Sequence, residues 1–413
     1  MNIPEPVRPE KVGVSSQRLE RVQALCRRYV DEEKLAGVTV LVARRGQVIL
    51  CDAYGQRDRE AGQPMTLDTV FRIYSMTKPI TTVAALMLLE EGKLLLLDPV
   101  AKHLPEFADV KVCVGMDVGG PILVEPERPM TIQDLMRHTS GLSYGWFVDT
   151  PVDQMYRDAQ MGRREMTLAE AVTQLAKLPL AFHPGRAWRY SYATDVLGRI
   201  VEVISGQTLD AFFQERIFDP LGMTETGFYV RPEQVERFAA LYNLTGQAVF
   251  TPILPENLNG TLHLMEAPAE SRFTKPPVFL SGGGGLVSTT GDYLRFCQML
   301  LNRGELDGVR LLGPKTVELM TMNHLPSELI PIGIGEKDYG YGFGLGVKVL
   351  VDVAASAEPG SLGIYGWGGA ASTVFDIDPQ EELITIFMTQ FMPSGYYPIR
   401  RELQVALYQS ILE

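Results

Sequence analysis

Cysteine is scarce in this chain. Its 413 residues hold four, Cys26, Cys51, Cys113 and Cys297. None pair as CxxC and nothing resembles a secreted disulfide framework, so a thiolate zinc site and a disulfide scaffold are both set aside and reduced thiols are expected. The five histidines, His103, His138, His183, His263 and His324, show no HExxH-type spacing, so no metal is expected. Long apolar runs are missing too. Leu94 to Leu97 is the longest leucine run, far short of the ~20 residues that span a bilayer, and the opening MNIPEPVRPEK has no apolar signal core. Positive charge is in deficit, with 38 Lys+Arg against 50 Asp+Glu and a net charge of −12. Such a chain is a poor electrostatic partner for nucleic acid or anionic lipid. What remains is a cytoplasmic enzyme or binding protein with no nucleic-acid or membrane partner. The oligomeric state is not legible.

What is present is ordinary globular composition, 46% apolar and 21% charged. A chain this long buries roughly three-quarters of its unfolded surface without metal or disulfide staples. From Ser15 to Tyr29, apolar residues recur at helical spacing, with Ser15 or Ser16 as the cap. GVTVLVARRGQVILCDAYG reads as two strands around Arg45-Gly46. Late in the chain, ASTVFDIDPQEELITIFMTQ repeats that design around Asp378-Pro379, and Ile399 to Leu412 is again helix-like. The simplest packing puts both ends in one antiparallel sheet covered by the terminal helices. The expected fold is α/β of the α+β type. Residues 1–74 and 275–413 would form a discontinuous sheet domain and 75–274 a mainly helical one. The cleft between two such units is where a site is expected.

Ser75-Met76-Thr77-Lys78 is an S-x-x-K sequence just before a helical run, Pro79 to Glu91. Residues at i and i+3 share a helical face, so the hydroxyl and the amine would meet there. Serine is a weak nucleophile without a base beside it. Lysine becomes that base at neutral pH only if burial lowers its pKa by roughly 3 units, about 4 kcal/mol. Alone the pattern is weak, since it recurs by chance about once per 200–300 residues. Two further segments give it weight: Tyr190-Ser191-Tyr192 ahead of a helical pattern, and Trp367-Gly368-Gly369 ahead of a strand running from Ser372 to Ile377.

In this order, and with His138–Leu142 (HTSGL) and the GGGGLVST segment from Gly282 to Thr289, the chain resembles the serine β-lactamase and penicillin-binding protein superfamily over nearly its whole length. It looks most like the family VIII carboxylesterases, which are related to class C β-lactamases. The resemblance implies a β-lactamase/transpeptidase-like fold with no cofactor. It also implies a serine carboxylesterase that cleaves short-chain small-molecule esters through an acyl-enzyme. Ser75 would be the nucleophile, Lys78 its proton partner and Tyr190 the tyrosine of the Y-x-N motif. The backbone N–H groups of Ser75 and Ala370 would form the oxyanion hole. Trp367, Gly368, Gly369, Tyr192 and Trp146 would contact substrate.

Two departures bear on substrate. Tyr192 stands where β-lactamases have Asn, and Trp367 stands where they have the lysine of K-T-G; both changes favour neutral acyl groups. Tyr192 also offers a second frame for the motif, and the spacing to the following helix favours Tyr190. The alternatives are a β-lactamase or D-Ala-D-Ala peptidase, an acyltransferase on the same fold, and an inactive binding protein, which an intact Ser75, Lys78 and Tyr190 argue against. Arg72 and Arg137 are arginines whose position would decide whether a cation replaces the missing lysine.

Several motifs read as bland. Gly141-Leu142-Ser143-Tyr144-Gly145 matches G-x-S-x-G, but that elbow needs a strand before it. The preceding MTIQDLMRHTSG reads as a helix from cap Thr131 to stop Gly141, so Ser143 is taken as a loop residue. The Gly282–Gly285 run lacks a Walker lysine and reads as a tight turn before a helix near Thr290. His138 reads as structural. A Ser-His-Asp triad is not needed where S-x-x-K supplies the base. Trp146 and Phe147 fit an acyl-pocket wall and core packing equally well.

Overall fold

Strand β1, Gly37–Arg44, is buried at every position. Leu41 and Ala43 turn into the larger core, while Val38, Val40 and Val42 turn into a second core on the other face. A strand covered on both faces reads as a continuous apolar run, which is why GVTVLVA shows no alternation. The computed structural model that gives this arrangement describes residues 3–147, 150–160, 165–245 and 260–413. Arg45 and Gly46, with φ of 51° and 71°, turn β1 into β2, Gln47–Asp58. Positive φ at both turn residues is the form whose twist suits a two-residue hairpin. The short β3, Gln63–Pro64, follows. From the other end come β4 (Tyr341–Phe343), β5 (Lys348–Leu350), β6 (Tyr365–Gly368), β7 (Val374–Asp378) and β8 (Leu383–Met388). They form one eight-stranded sheet in the order β4-β5-β6-β7-β8-β1-β2-β3. The two ends meet at β1 and β8, antiparallel, with Thr39 opposite Met388 and Arg44 opposite Leu383.

The terminal helices α1, Ser16–Asp31, and α6, Ile399–Tyr408, cover one face. Leu19, Val22, Cys26 and Tyr29 pack there with Leu403 and Leu407. Ser15 caps α1, its hydroxyl accepting the Arg18 N–H at 3.3 Å. On the other face α5 (Thr290–Leu301) packs against β1, β7 and β8, and α2 (Thr77–Glu90) and α3 (Ile132–Met136) pack on α4 (Ala193–Ser205) within the larger core. Thr77 through Leu88 of α2 are all buried, so this helix runs through the core with no solvent face.

Three boundaries differ from the sequence reading. Helix α2 begins at Thr77 rather than Pro79, because a 3-10 turn, Tyr74–Met76, feeds it. Helix α3 stops at Met136 rather than running to Gly141. The Asp134 carboxylate, part of the Thr131 capping box, also accepts from Arg137 at 3.1 Å and from the Thr139 hydroxyl at 2.8 Å, and His138 takes φ 58°. That folds the chain back instead of extending the helix. Strand β7 begins at Val374 rather than Ser372, since Ser372 takes φ 64° and donates its N–H to the Gly369 carbonyl at 3.0 Å in a turn. The four cysteines are free thiols. No helix among the described residues is long and apolar enough to cross a membrane.

Candidate active site

The turn before α2 sets Ser75 in a half-buried position. Its neighbour Tyr74 holds φ 42°, a left-handed value that a side chain tolerates only where packing enforces it. Here the Tyr74 ring meets Phe273 edge-on, with centroids 5.9 Å apart. Lys78, one turn on, places Nζ 3.3 Å from Ser75 Oγ. The amine is sealed from solvent. It donates to the Tyr144 hydroxyl at 2.9 Å and to the Gly283 carbonyl at 2.6 Å, and sits 4.4 Å from the Tyr190 ring centroid. Burial pushes its pKa down to about 7, and the nearby Asp195 carboxylate partly opposes that shift.

Tyr190 enters ahead of α4 and is buried between Tyr144, Trp188, His138 and Trp367. Its hydroxyl receives the Trp367 indole N–H at 3.2 Å and interacts with the Ser75 hydroxyl. Burial raises its pKa far above the ordinary range despite those two contacts, so it stands as a neutral phenol. His138, also buried, is kept neutral by burial and by Lys78.

The β6 end closes the other side. A Cβ on Gly369 would lie 2.4 Å from the Ile73 carbonyl and 2.3 Å from Thr373 Oγ1, so only glycine lets this edge approach the Ser75 turn. Gly368 lies one residue back, half-buried. Ala370, which follows Gly369, and Tyr74 both pack against the small cluster of Leu241, Ala371 and Met392. The Ala370 N–H has no acceptor among the described residues, and neither has that of Ser75. Trp146 stacks on Tyr144 at 4.1 Å and 3°, and Tyr192 leans on Tyr144 at 4.5 Å; both are half-buried.

Every site residue expected from sequence thus falls in one place. Trp367 is only 6% exposed and spends its N–H on Tyr190. Ser143 is buried and donates to Asp153 at 2.5 Å, on an irregular segment with no strand before it. Tyr144, Asp195 and the Gly283 carbonyl were missed. A signal existed for one: Asp195 interrupts the apolar first turns of α4. Arg72 is fully buried and held by Glu266 at 2.6 Å, the Ala239 carbonyl at 2.6 Å and Gln390 at 3.1 Å. Arg137 is held by Asp134 and the His324 carbonyl. Neither is free to meet a substrate. Arg272 is exposed and stacks on Phe273 at 5.1 Å. It acts electrostatically on Tyr74 and Tyr192, and no side-chain hydrogen bond or ion pair engages it among the described residues.

Known proteins resemble this chain over nearly its whole length. Protein Rv1367c of Mycobacterium tuberculosis is 39% identical over 91% of this chain and 90% of its own length. Esterase EstB of Burkholderia gladioli is 33% identical, covering 95% of this chain and 94% of its own. Among solved structures, EstCE1, described as a hydrolase with promiscuous acyltransferase activity, superposes with a TM-score of 0.77 at 31% identity, covering 96% of this chain and 99% of that one. Residues 22–409 match the family model described as Beta-lactamase, and with the sheet, the Ser75 turn and these relatives in agreement, the chain belongs to that family of serine hydrolases.

Proposed function

We propose that this protein is a family VIII-like carboxylesterase that cleaves short-chain carboxylic esters through an acyl-enzyme on Ser75. The observation that carries the reading is Lys78 Nζ, 3.3 Å from Ser75 Oγ, with burial bringing that amine to about 7. A lysine so placed is half unprotonated at neutral pH and serves as the base. Tyr190, held neutral, is the hydroxyl through which the proton passes rather than a phenolate. In acylation the Ser75 oxygen bonds to the ester carbonyl carbon while its proton goes to Lys78. The carbon–oxygen bond to the alcohol then breaks, and the alcohol leaves with that proton by way of Tyr190. Water reverses the sequence and frees the acid. The N–H groups of Ser75 and Ala370 would receive the oxyanion, each typically worth about 3 kcal/mol. The site would lie between a sheet domain (1–74 and 275–413) and a mainly helical domain (75–274). The esterase relatives support ester cleavage, and the acyltransferase activity in the EstCE1 description supports transfer to an alcohol as a second outcome of the same acyl-enzyme.

The test is an assay of p-nitrophenyl esters of graded acyl length beside a chromogenic cephalosporin. With a lysine base, kcat/KM should rise with pH through an ionisation near 7, since protonated Lys78 cannot accept the Ser75 proton. Lys78→Ala and Tyr190→Phe should each lower kcat by about 10²-fold or more, and the double variant should cost little beyond the worse single, because the two act as one relay. Fully additive losses count against the relay. Tyr192→Phe should stay close to wild type; loss there with retention in Tyr190→Phe would exchange the two tyrosines.

A further inference from the structure

Lys78 is held from behind as well as in front. Asp195, in the first turn of α4, is buried, and its Oδ1 accepts the Ser281 hydroxyl at 2.6 Å and the Gly283 N–H at 3.1 Å. The carbonyl of the same Gly283 accepts Lys78 Nζ at 2.6 Å. A Cβ on Gly283 would lie 2.5 Å from Asp195 Oδ2 and 3.1 Å from the Tyr144 hydroxyl. Only glycine lets the carboxylate, the phenol and the amine converge on that point. The neighbouring Gly282 is equally confined, its Cβ falling 2.9 Å from the Thr194 carbonyl. Gly282 and Gly283 are therefore demanded by the approach of α2 and α4 to one strip of backbone, while Gly285 is confined by Phe228 and the Ser281 carbonyl.

The groups that face Lys78 are Tyr144, Tyr190, His138 and Asp195. Burial keeps both tyrosines and the histidine uncharged. That leaves Asp195 as the fixed charge on this amine among the described residues. Burial raises the Asp195 pKa, but Lys78, Ser281 and the Gly283 N–H all favour its ionised form. A buried carboxylate is costly unless it is hydrogen-bonded and faces a cation, and Asp195 has both, the Ser281 and Gly283 donors and Lys78.

We propose that Asp195 is a positioning residue for the reaction: it clamps Gly283, through it orients Lys78 Nζ toward Ser75, and supplies the negative charge that the amine faces. This rests on the reading of Lys78 as the base. Removing the charge while keeping the clamp should make Lys78 easier to deprotonate, because an opposite charge favours the protonated amine. Asp195→Asn keeps an oxygen for Gly283 and Ser281. Its acid limb in kcat/KM should therefore move to lower pH by about one unit or more, raising the rate relative to its own plateau about tenfold two units below the wild-type midpoint. Asp195→Ala, which loses the clamp too, should also lower the plateau by about tenfold or more. A purely structural aspartate would lower activity without moving the limb.

The experiment is the pH profile of p-nitrophenyl butyrate hydrolysis for wild type, Asp195→Asn, Asp195→Ala and Lys78→Ala, with thermal unfolding of each. A limb unmoved or displaced upward in folded Asp195→Asn overturns the proposal. If the Asn variant does not fold, Asp195→Ser takes its place: it too removes the charge, so the limb should again move to lower pH, and an unmoved limb again overturns the proposal. Lys78→Ala retaining full activity would instead sink the reading of the base on which the proposal rests, so the two failures are distinguishable.

Discussion

Ser75→Ala is expected to remove nearly all ester turnover, on the order of 10⁴–10⁶-fold by analogy with other serine hydrolases. Ser75 is the serine hydroxyl that Lys78 reaches, at 3.3 Å, and it is only half-buried. The rival serine of the G-x-S-x-G match has a different occupation. Ser143 is shut inside the protein, donating to Asp153 and receiving the Gly145 N–H at 3.2 Å. Ser143→Ala should therefore keep activity within about tenfold and instead lower stability by about 1–3 kcal/mol, the cost of leaving the buried Gly145 N–H without its acceptor. A fluorophosphonate adduct mapped by mass spectrometry gives the direct reading. A label on the Ser75 peptide supports the assignment, and a label on the Ser143 peptide would falsify it.

The second large effect concerns selectivity. A cephalosporin carries a carboxylate beside its reacting amide. Here Trp367 stands where related lactamases have lysine, and its N–H is already given to Tyr190. Arg72 and Arg137 are committed to internal partners, so neither supplies the cation. A desolvated carboxylate without a partner costs several kcal/mol. We therefore expect kcat/KM for p-nitrophenyl acetate or butyrate to exceed that for a cephalosporin by about 10²-fold or more. Trp367→Lys should narrow the ratio, with Trp367→Phe as the control that removes the N–H to Tyr190 without adding charge. Among the described residues, Arg272 is exposed and stacks on Phe273, whose ring meets Tyr74 next to Ser75, so it can attract such a substrate. Arg272→Gln should lower residual cephalosporin turnover several-fold and leave neutral esters unchanged. Penicillin hydrolysis as fast as that of short esters would end the neutral-ester reading.

Much of the fold was legible because its signals are local. The two hairpins and both terminal helices carry their own periodicity, and Arg45-Gly46 and Ser15 mark their turns and caps. Ser75, Lys78, Tyr190 and Trp367 were legible because each sits in a short motif. The residues that were missed act across the chain. Tyr144 reaches Lys78 from the G-x-S-x-G stretch, a variable position of a pattern that draws the eye to Ser143 instead, and Gly283 reaches it through a carbonyl, a group every residue possesses. The boundary errors share that cause. Asp134 ends α3 by gathering Arg137 and Thr139, a competition that helical periodicity does not register.

The joining of β1 to β8 also has a temporal side. Gly369 must lie against the Ile73 carbonyl for the Ser75 turn to be seated, and these residues are separated by nearly three hundred positions. During synthesis the Ser75 turn and Lys78 leave the ribosome early; α4 and Gly283 can meet α2 before β6 follows, but the glycine edge that closes the site comes last. A nascent chain therefore carries both reactive side chains without an assembled site. On the mechanism proposed above, hydrolytic competence waits until β8 has paired with β1 and Gly369 lies against the Ser75 turn.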